Sequence, residues 1–527
     1  MREWLDEAIF YEIYPQSFRD TNADGIGDIN GIIEKLDYIQ GMGFNAVWMN
    51  PCFDSPFVDA GYDVRDYYRV AERYGTNEDM RRLIDALHRR GMHLLLDLVP
   101  GHTSDQCHWF TESAKAEKNA FTDRYIWTER VWEPVEIGGG IRGWHRGGTQ
   151  RDGAYAINYF DAQPALNYGF ANPDPQKPWQ QPMDAPGPLA TREALKDVMR
   201  FWLKMGCDGF RVDMAMSLVK DDPDQAGTIA LWQDVRAFLE REFPEAVMVS
   251  EWGEPNKSLI AGYHMDFVLH FGPSHYLELF RTARPYFSKN GDGNCKAFFD
   301  LYLSNMAKTR DRGGMICIPS GNHDMDRMAR YLDDEEMKIA FAFLLSMPGV
   351  PFVYYGDEIG MRYVEGLTSI EGGYNRTGSR SPMAFDTTPN AGFSSAPAEM
   401  LYIAQDASID VVNVAVEERD PRSLLHEVKK LIALRKAHAA LGNRGDIEMA
   451  HLEESAYPLA YTRTAGDEHV LVILNPSGQA VSLDFPLPDQ GEIIYRAGGA
   501  EDGISLEALR GGQPFPAAAA MMIEWKE

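Results

Sequence analysis

Carboxylate, imidazole and guanidinium side chains follow four apolar runs of this sequence. The four stretches are LLLDLVPGH (94–102), DGFRVDMA (208–215), VMVSEWGEP (247–255) and IPSGNHD (318–324). Each apolar run predicts a buried strand that ends in Asp, Glu, His or Arg. Such side chains act as nucleophiles, as general acids and bases, and as anchors for polar substrates. Their positions indicate an enzyme with its polar groups at the ends of strands.

Strands of this kind alternate with helical segments along most of the chain. The first predicted strand is AIFYEIYPQSF (8–18), the first helix covers 29–43, and the last helix of the series covers 423–441. Parallel strands that alternate with helices close into an eight-stranded barrel, and active sites lie at the carboxyl ends of its strands. We therefore predict an α/β fold, a (β/α)8 TIM barrel formed by residues 1–103 and 191–441.

Two regions interrupt or follow this alternation. Residues 104–190 are rich in Trp, Gly, Pro and Asp and show little helical periodicity, so we predict a B subdomain inserted after strand three. Residues 442–527 contain alternating runs such as HVLVILN and VSLDFPL between turn residues, a pattern that predicts a small antiparallel β domain. The chain is thus expected to have three structural parts.

The charge balance narrows the range of partners. The 527 residues include 79 acidic and 51 basic side chains, which gives a formal net charge of −28. Nucleic acids and anionic membranes are bound by clustered positive charge, so neither is an expected partner. A neutral or cationic partner is easier to accommodate. The sequence leaves the oligomeric state open.

The N-terminal sequence and the spacing of the cysteines indicate the cellular compartment. The chain opens MREWLDEAIFYEIYP without a basic-then-apolar leader, and no apolar run approaches the roughly 20 residues of a membrane span. The five cysteines are far apart and lack CxxC spacing, so neither a disulfide framework nor a zinc site of cysteines is expected. We predict cytoplasmic residence, although a secreted protein without its leader would look the same.

The four stretches, in this order and spacing, resemble the signature regions of the α-amylase family of glycoside hydrolases. The opening WLDEAIFYEIYPQSFRDTNADGIGDINGI, the segment GVPFVYYGDEIGM and the pair SRSPMAFD and NAGFS resemble the oligo-1,6-glucosidase and α-glucosidase branch. The resemblance extends over essentially the whole chain. It implies a (β/α)8 catalytic barrel, a B subdomain after strand three and a C-terminal antiparallel β-sandwich.

Two carboxylates suit the cleavage of a glycosidic bond with retention of configuration. That reaction needs one ionised carboxylate that attacks the anomeric carbon and one protonated carboxyl that assists the leaving oxygen, about 5 to 5.5 Å apart. Asp213 lies two residues after Arg211, so both side chains face the same side of a strand, where the cation keeps the aspartate ionised. Glu251 ends an apolar strand beside Trp252, and burial together with the charge of Asp213 would keep it protonated.

Further site residues are implied by the family resemblance. It gives Asp213 the role of nucleophile, Glu251 that of acid and base, and Asp324 that of the third catalytic carboxylate, which holds sugar hydroxyls. The substrate-binding residues that it implies are Tyr62, Asp63, His102, Arg211, His323 and Arg376. In exo-acting members an arginine pairs with the aspartate at the pocket floor. Arg376 is expected to pair with Asp63 and Arg380 is the second candidate; such a pair would enclose a terminal glucose.

A second group of residues has the spacing of a metal site. In DTNADGIGD the oxygen donors would be the side chains of Asp20, Asn22, Asp24 and Asp28 and the carbonyl of Ile26. Alternate oxygen donors in a glycine-containing loop are typical of a hard cation, with calcium expected and magnesium second. The ion would brace the first barrel loop and take no part in bond cleavage. A solvated turn rich in Asp and Asn is the alternative. No organic cofactor is expected.

Three hypotheses for function remain open at this stage. The first is an exo-acting retaining α-glucosidase on short oligosaccharides or disaccharides. The second is an α-glucosyltransferase or isomerase on the same scaffold, either trehalose-synthase-like or sucrose-using. The third is a non-catalytic sugar-binding homologue, which the presence of all three carboxylates disfavours. Met214, after the predicted nucleophile, matches neither the valine associated with α-1,6 linkages nor the residues associated with α-1,4 linkages, so linkage preference is left open.

Overall fold

A closed barrel of eight parallel strands forms the main part of the protein. The computed structural model describes residues 2–291, 294–310, 312–501 and 503–526. In chain order the barrel strands are Phe10–Ile13, Ala46–Met49, His93–Leu98, Gly209–Val212, Val247–Ser250, Met265–Phe267, Met315–Pro319 and Val350–Tyr354. Every residue of these strands except His93 is buried. Strands covered on both faces are largely apolar, which explains their nearly continuous apolar runs. The predicted barrel is confirmed.

The α-helices of the described ranges alternate with the barrel strands over most of the chain, as predicted. They are Ile29–Glu34, Leu36–Met42, Asn77–His88, His108–Ser113, Pro186–Met205, Ala226–Glu242, Pro255–Ala261, Tyr276–Phe280, Lys296–Arg310, Asp334–Ser346, Val414–Glu417, Leu424–Ala437 and Leu506–Arg510. The helix predicted over 29–43 is broken in two because Lys35 has a non-helical ψ of 6°. It ends as expected at Gly43, whose φ of 102° suits a residue without a Cβ atom.

The inserted segment contains little regular structure. Its two strands, Gly143–Arg146 and Ala154–Ile157, form an antiparallel pair. A small apolar cluster supports them, formed by Ile126, Ile141, Ala156, Ala165 and Phe170. A second two-stranded sheet joins Phe53–Asp54 to Asp66–Val70. The domain boundaries at 103/104, 190/191 and 441/442 stay predictions.

The C-terminal part is a five-stranded antiparallel sheet. Its strands are Asp446–His451, Leu459–Ala465, Glu468–Asn475, Glu492–Gly498 and Ala519–Lys526, with the last strand between the third and the fourth. One face carries a buried cluster that includes Leu471, Ile473 and Met521. Phe515, which lies between the fourth and fifth strands in the sequence, also belongs to this cluster. That connecting segment therefore helps to cover this face of the sheet.

The chain divides into two compact units. Residues 48–266 and 369–374 form one, called the middle unit, and residues 1–47, 267–368 and 375–527 form the other, called the flanking unit for its position in the sequence. None of the helices in the described ranges is both long and apolar enough to span a bilayer.

Candidate active site

One arginine of the middle unit contacts both predicted catalytic carboxylates. Arg211 Nη1 lies 3.1 Å from Asp213 Oδ1, and Arg211 Nη2 lies 3.0 Å from Glu251 Oε2. All three residues are more than nine-tenths buried: Arg211 is 2%, Glu251 5% and Asp213 8% exposed. The structure therefore brings together, at a single guanidinium, the two carboxylates that the sequence assigned to bond cleavage.

The register of neighbouring strands explains this proximity. Val212 of the fourth barrel strand pairs with Ser250 of the fifth, so the residues that follow them leave the barrel side by side. The backbone N–H of Glu251 donates to the carbonyl of Val212 at 3.0 Å. Carboxyl ends of adjacent parallel strands meet at one edge, which places Asp213 next to Glu251.

Buried groups fix the two turns that carry these carboxylates. Asp266 Oδ1 accepts hydrogen bonds from the Ser250 hydroxyl at 2.7 Å and from the Trp252 N–H at 3.1 Å, on either side of Glu251. Met214, directly after Asp213, has a left-handed backbone with φ 45° and ψ 40°. Its N–H donates to Glu251 Oε2 at 3.0 Å. A strained conformation in a non-glycine residue costs of order 1–3 kcal/mol and often marks a functional site.

Glu251 contacts a cation, Arg211, that the sequence did not place beside it. We expected burial and the charge of Asp213 to keep this carboxyl protonated. Arg211 and the N–H of Met214 instead donate to its carboxylate oxygen, and both favour the ionised form. The sequence could not show this contact because strand four and strand five are 38 residues apart.

Asp97 is a site residue that sequence reasoning missed. It is 1% exposed and accepts hydrogen bonds from Arg211 at 2.9 Å, from the Tyr62 hydroxyl at 3.1 Å and from the indole of Trp48 at 3.2 Å. Burial raises the pKa of Asp97 to about 6, assisted by the charge of Glu251 and opposed by Arg211. The sequence did contain a signal for Asp97, because a carboxylate inside the apolar run LLLDLV requires a buried partner.

Tyr62 and His102 lie in the same unit and contact each other. His102 Nε2 donates to the Tyr62 carbonyl at 2.9 Å, and His102 Nδ1 accepts from the amide of Asn158 at 2.9 Å. Tyr62 is 8% exposed and its hydroxyl points at Asp97. Both ring nitrogens of His102 thus have protein partners, and its role in substrate binding stays a prediction.

His102 should make the stability of the fold depend on pH. Burial lowers its pKa from the usual 6.5 to about 4; the hydrogen bond to the Tyr62 carbonyl opposes this shift, and the charges of Lys220 and Arg142 add smaller contributions in the same direction as burial. Stability from this residue is complete above pH 6.5 and is lost as the pH falls towards 4, because the unfolded chain takes up a proton that the folded chain refuses. Between pH 6.5 and pH 4 the loss should be about 3 kcal/mol.

Urea unfolding at pH 7 and pH 5 checks this expectation. The free energy of unfolding of the wild type should fall by about 2 kcal/mol more between these pH values than that of His102→Gln. His451→Gln is the matched control, since His451 is a partly exposed histidine whose Nδ1 donates to the Pro458 carbonyl. It should keep the wild-type pH dependence. Equal pH dependence in the wild type and His102→Gln would contradict the burial argument.

Asp63 is fully buried within its own loop. Its carboxylate accepts hydrogen bonds from the Ser55 hydroxyl at 3.0 Å and from the N–H groups of Val58 at 2.9 Å and Asp59 at 3.0 Å. Burial raises the pKa of Asp63, and these donors oppose the shift. The loop therefore holds the carboxylate in one orientation. Its expected pairing with Arg376 stays a prediction.

Two arginines of the flanking unit contact Asp324. Arg376 Nη1 and Arg380 Nη2 lie 2.7 Å and 3.0 Å from the same oxygen, Asp324 Oδ1. Burial alone would raise the pKa of Asp324, but His323, Arg376 and Arg380 hold it well below its usual range. Asp324 is thus an ionised carboxylate near neutral pH. The sequence treated Arg376 and Arg380 as alternative partners of Asp63 and did not indicate that both contact Asp324.

His323 adjoins Asp324 and a glutamate that sequence reasoning also missed. His323 Nδ1 lies 3.0 Å from Glu12 Oε1, and Nε2 lies 3.6 Å from Asp324 Oδ2. Tyr14 stacks on the imidazole with ring centroids 6.3 Å apart. Glu12 is completely buried in the first barrel strand. A glutamate inside AIFYEIYP was the available signal, since buried carboxylates are rare without a partner.

The predicted metal donors lie in one loop with extensive internal hydrogen bonding. Asp20 Oδ1 accepts from the N–H groups of Asn22 and Ala23, and Oδ2 accepts from Gly25. Asp28 caps the helix Ile29–Glu34 by accepting from the Gly31 N–H at 2.7 Å. Three carboxylates, one amide and one carbonyl oxygen suit a hard cation chemically. The bound calcium ion stays a prediction.

Comparison with known proteins identifies the relatives of this chain. The family model of the α-amylase catalytic domain matches residues 12–444, and that of the maltogenic amylase C-terminal domain matches residues 449–522. The oligo-1,6-glucosidase of Parageobacillus thermoglucosidasius is 32% identical over 94% of this chain and 93% of that protein. The trehalose synthase/amylase TreS of Mycobacterium tuberculosis (strain CDC 1551 / Oshkosh) is also 32% identical, over 92% of this chain and 84% of that protein.

A solved structure shows the same fold over nearly the whole chain. The trehalulose synthase MutB from Pseudomonas mesoacidophila MX-45 has a TM-score of 0.82 and 26% identity, with 99% of each chain covered. One family model spans most of the sequence, and relatives with more than 30% identity span nine-tenths of it. The chain therefore belongs to the α-amylase family and is a glycoside hydrolase of that family.

Proposed function

We propose that the protein is an exo-acting retaining α-glucosidase that removes terminal glucose from short oligosaccharides or disaccharides. The observation that supports this proposal is the contact of Arg211 with both Asp213 and Glu251. A retaining glycosidase needs two carboxylates close to one bond, with different protonation states. One guanidinium between them fixes their relative position and keeps at least one of them ionised.

The reaction would proceed in two displacements. Asp213 attacks the anomeric carbon, the bond to the glycosidic oxygen breaks, and Glu251 gives its proton to that oxygen as its electron pair departs. A glucosyl ester of Asp213 results. Glu251, now ionised, takes a proton from water, whose oxygen attacks the anomeric carbon and releases Asp213. Two inversions leave the product with the starting α configuration.

Arg211 would favour both halves of this cycle. It keeps Asp213 ionised for attack and stabilises the same carboxylate as it leaves in the second step. Its contact with Glu251 favours the ionised state that the second step requires. The first step requires protonated Glu251, so substrate binding must weaken that contact. Asp97, which lies 2.9 Å from the same Arg211 Nη1 that contacts Asp213, would remain a partner of the guanidinium when the contact with Glu251 weakens.

A panel of maltose, isomaltose, sucrose, trehalose and soluble starch, with chromatographic detection of products, tests this function. The proposal expects glucose as the main product from at least one disaccharide and slow release of glucose from starch. Long oligosaccharides appearing first from starch would indicate cleavage in mid-chain and would overturn the exo-acting assignment. No product from any of the five substrates would overturn the α-glucosidase proposal as a whole.

Asp63 provides a test of the closed pocket. Asp63→Asn should lower kcat/KM for disaccharides by about 10- to 100-fold, the cost of a lost hydrogen bond to a charged group. The effect on soluble starch should be much smaller, because a polymer makes contacts beyond the terminal sugar. Asp66→Asn is the control, since Asp66 is a partly exposed carboxylate three residues later, at the start of the strand Asp66–Val70. An equal loss on starch and disaccharides would argue against a pocket that recognises a terminal glucose.

Transfer of glucose to another sugar is the second candidate function. Two relatives favour it, the trehalose synthase/amylase TreS and the trehalulose synthase MutB. The chemistry differs only in the second step, in which a sugar hydroxyl replaces water as the attacking group. Trehalose formed from maltose, or an isomer formed from sucrose, in excess over free glucose would favour this candidate over hydrolysis.

We further propose that the Asp20 loop binds calcium. Removal of the ion should lower the melting temperature, because an ion that binds only the folded loop stabilises the native state. Thermal unfolding after chelation, with and without added calcium, measures this effect. Asp24→Ala, which removes an exposed donor of the loop, should abolish the recovery on calcium addition. Identical melting temperatures with and without calcium in the wild type would exclude this site.

Cytoplasmic residence is also proposed. All five cysteines are buried thiols, the chemical state that a reducing compartment maintains. Fractionation of cells that produce the protein, followed by immunodetection, tests the assignment. Recovery from the medium or the periplasm would overturn it.

A further inference from the structure

Three side chains of the flanking unit converge where the last barrel helix meets the C-terminal sheet. His438 follows the helix Leu424–Ala437, Glu468 begins the third strand of that sheet, and Glu524 lies in its last strand. One ligand atom from each lies within 4.8 Å of the other two. We call these residues the His438 cluster. Neither the sequence motifs nor the proposed reaction uses them.

The distances within the His438 cluster do not fit hydrogen bonds. His438 Nδ1 lies 3.5 Å from Glu524 Oε1 and 3.8 Å from Glu468 Oε1. Hydrogen bonds between nitrogen and oxygen span 2.7–3.2 Å. Ligand atoms that surround a tetrahedral zinc ion at 2.0–2.2 Å are about 3.3 to 3.6 Å apart. The two distances from His438 Nδ1 are therefore close to those between ligand atoms of one tetrahedral ion.

The charges of the His438 cluster also favour the binding of a cation. Glu468 accepts a hydrogen bond from the Ala440 N–H at 3.0 Å, which fixes one oxygen towards His438. In the described ranges, no lysine or arginine nitrogen lies within 4.0 Å of either carboxylate. Lys526 is opposite Glu468 in the strand register but forms no such ion pair. Two adjacent carboxylates without a strong counter-charge repel each other, and a divalent ion would remove that repulsion.

A metal ion and its water ligands could reach the cluster from solvent. The side chains of His438, Glu468 and Glu524 are 16%, 15% and 18% exposed. Glu524 also lines a surface groove together with Gln490, Glu492 and Trp525. Three protein ligands with partial exposure leave room for a water molecule as the fourth ligand.

We propose that His438, Glu468 and Glu524 bind one divalent transition-metal ion, with zinc the best match to one imidazole and two carboxylates. The ligands come from the end of the last barrel helix and from two strands of the C-terminal sheet. A bound ion would tie these elements together and stabilise the flanking unit. This site is separate from the Asp20 loop, whose donors are all oxygen atoms and favour calcium.

Zinc titration of the full-length protein, after chelation and desalting, tests the proposal. Bound zinc per chain is measured by equilibrium dialysis in the wild type, in His438→Ala, in Glu524→Gln and in the control His451→Ala. The wild type and His451→Ala should each bind one zinc ion more than His438→Ala. Glu524→Gln, which keeps the side-chain shape, should bind that ion at least tenfold more weakly. Circular dichroism confirms that the variants are folded.

Two further readouts separate a metal site from an ion pair with protonated His438. Cobalt substitution should give the visible absorption of a tetrahedral ion in the wild type and not in His438→Ala. Added zinc should raise the melting temperature of the wild type while calcium does not. Equal zinc binding by the wild type and His438→Ala, or the absence of zinc binding by the wild type, would overturn the proposal.

Discussion

Asp213→Asn is expected to lower kcat by about 10⁴- to 10⁶-fold, the size of loss that follows removal of the nucleophile from other enzymes with covalent intermediates. Asparagine keeps the shape of the side chain but has no negative charge with which to attack the anomeric carbon. The contact with Arg211 would weaken, yet the guanidinium retains Asp97 and Glu251 as partners. Folding should therefore be preserved while turnover is lost.

Asp221→Asn is the matched control for this variant. Asp221 is an exposed aspartate eight residues later with a φ of 47°, a conformation that asparagine tolerates. Its turnover should equal that of the wild type. Mass spectrometry of rapidly quenched wild-type protein should detect a glucosyl ester on the peptide that contains Asp213. Turnover within tenfold of the wild type in Asp213→Asn, or an ester on another residue, would remove Asp213 from the proposed role.

Glu251→Gln is expected to lower kcat by about 10²- to 10⁴-fold, the usual contribution of a general acid and base. The amide can neither give a proton to the leaving oxygen nor accept one from water. Substrates with a leaving group that departs without protonation, such as a nitrophenyl glucoside, should lose less in the first displacement. That difference between substrates identifies an acid, whereas a purely structural residue would affect all substrates equally.

Glu254→Gln provides the comparison for Glu251→Gln. Glu254 lies three residues later, is half-exposed and forms an ion pair with Lys257. It should retain wild-type turnover on every substrate. The free energy of unfolding of Glu251→Gln should remain near that of the wild type, because the Met214 N–H can donate to the amide oxygen. Unchanged turnover in Glu251→Gln would exclude this residue as the acid and base.

The sequence by itself determined the fold class and the positions of the chemical groups. Apolar runs with a polar residue at their ends predicted the barrel strands, and the periodic segments between them predicted most of the helices. This succeeds because a strand buried on both faces is largely apolar, so a charged residue within it or at its end is conspicuous. The pairing of Arg211 with Asp213 was also accessible, since residues two apart on a strand face the same side.

Only the tertiary structure decided which groups contact each other across strands. It placed Glu251 on the guanidinium that holds Asp213, added Asp97 to the same arginine, and brought both Arg376 and Arg380 to Asp324. These contacts depend on the register between neighbouring strands and on side-chain rotamers, which local periodicity does not encode. They place the cations and hydrogen-bond donors that favour the ionised form of each carboxylate, a physical property that the sequence alone did not give.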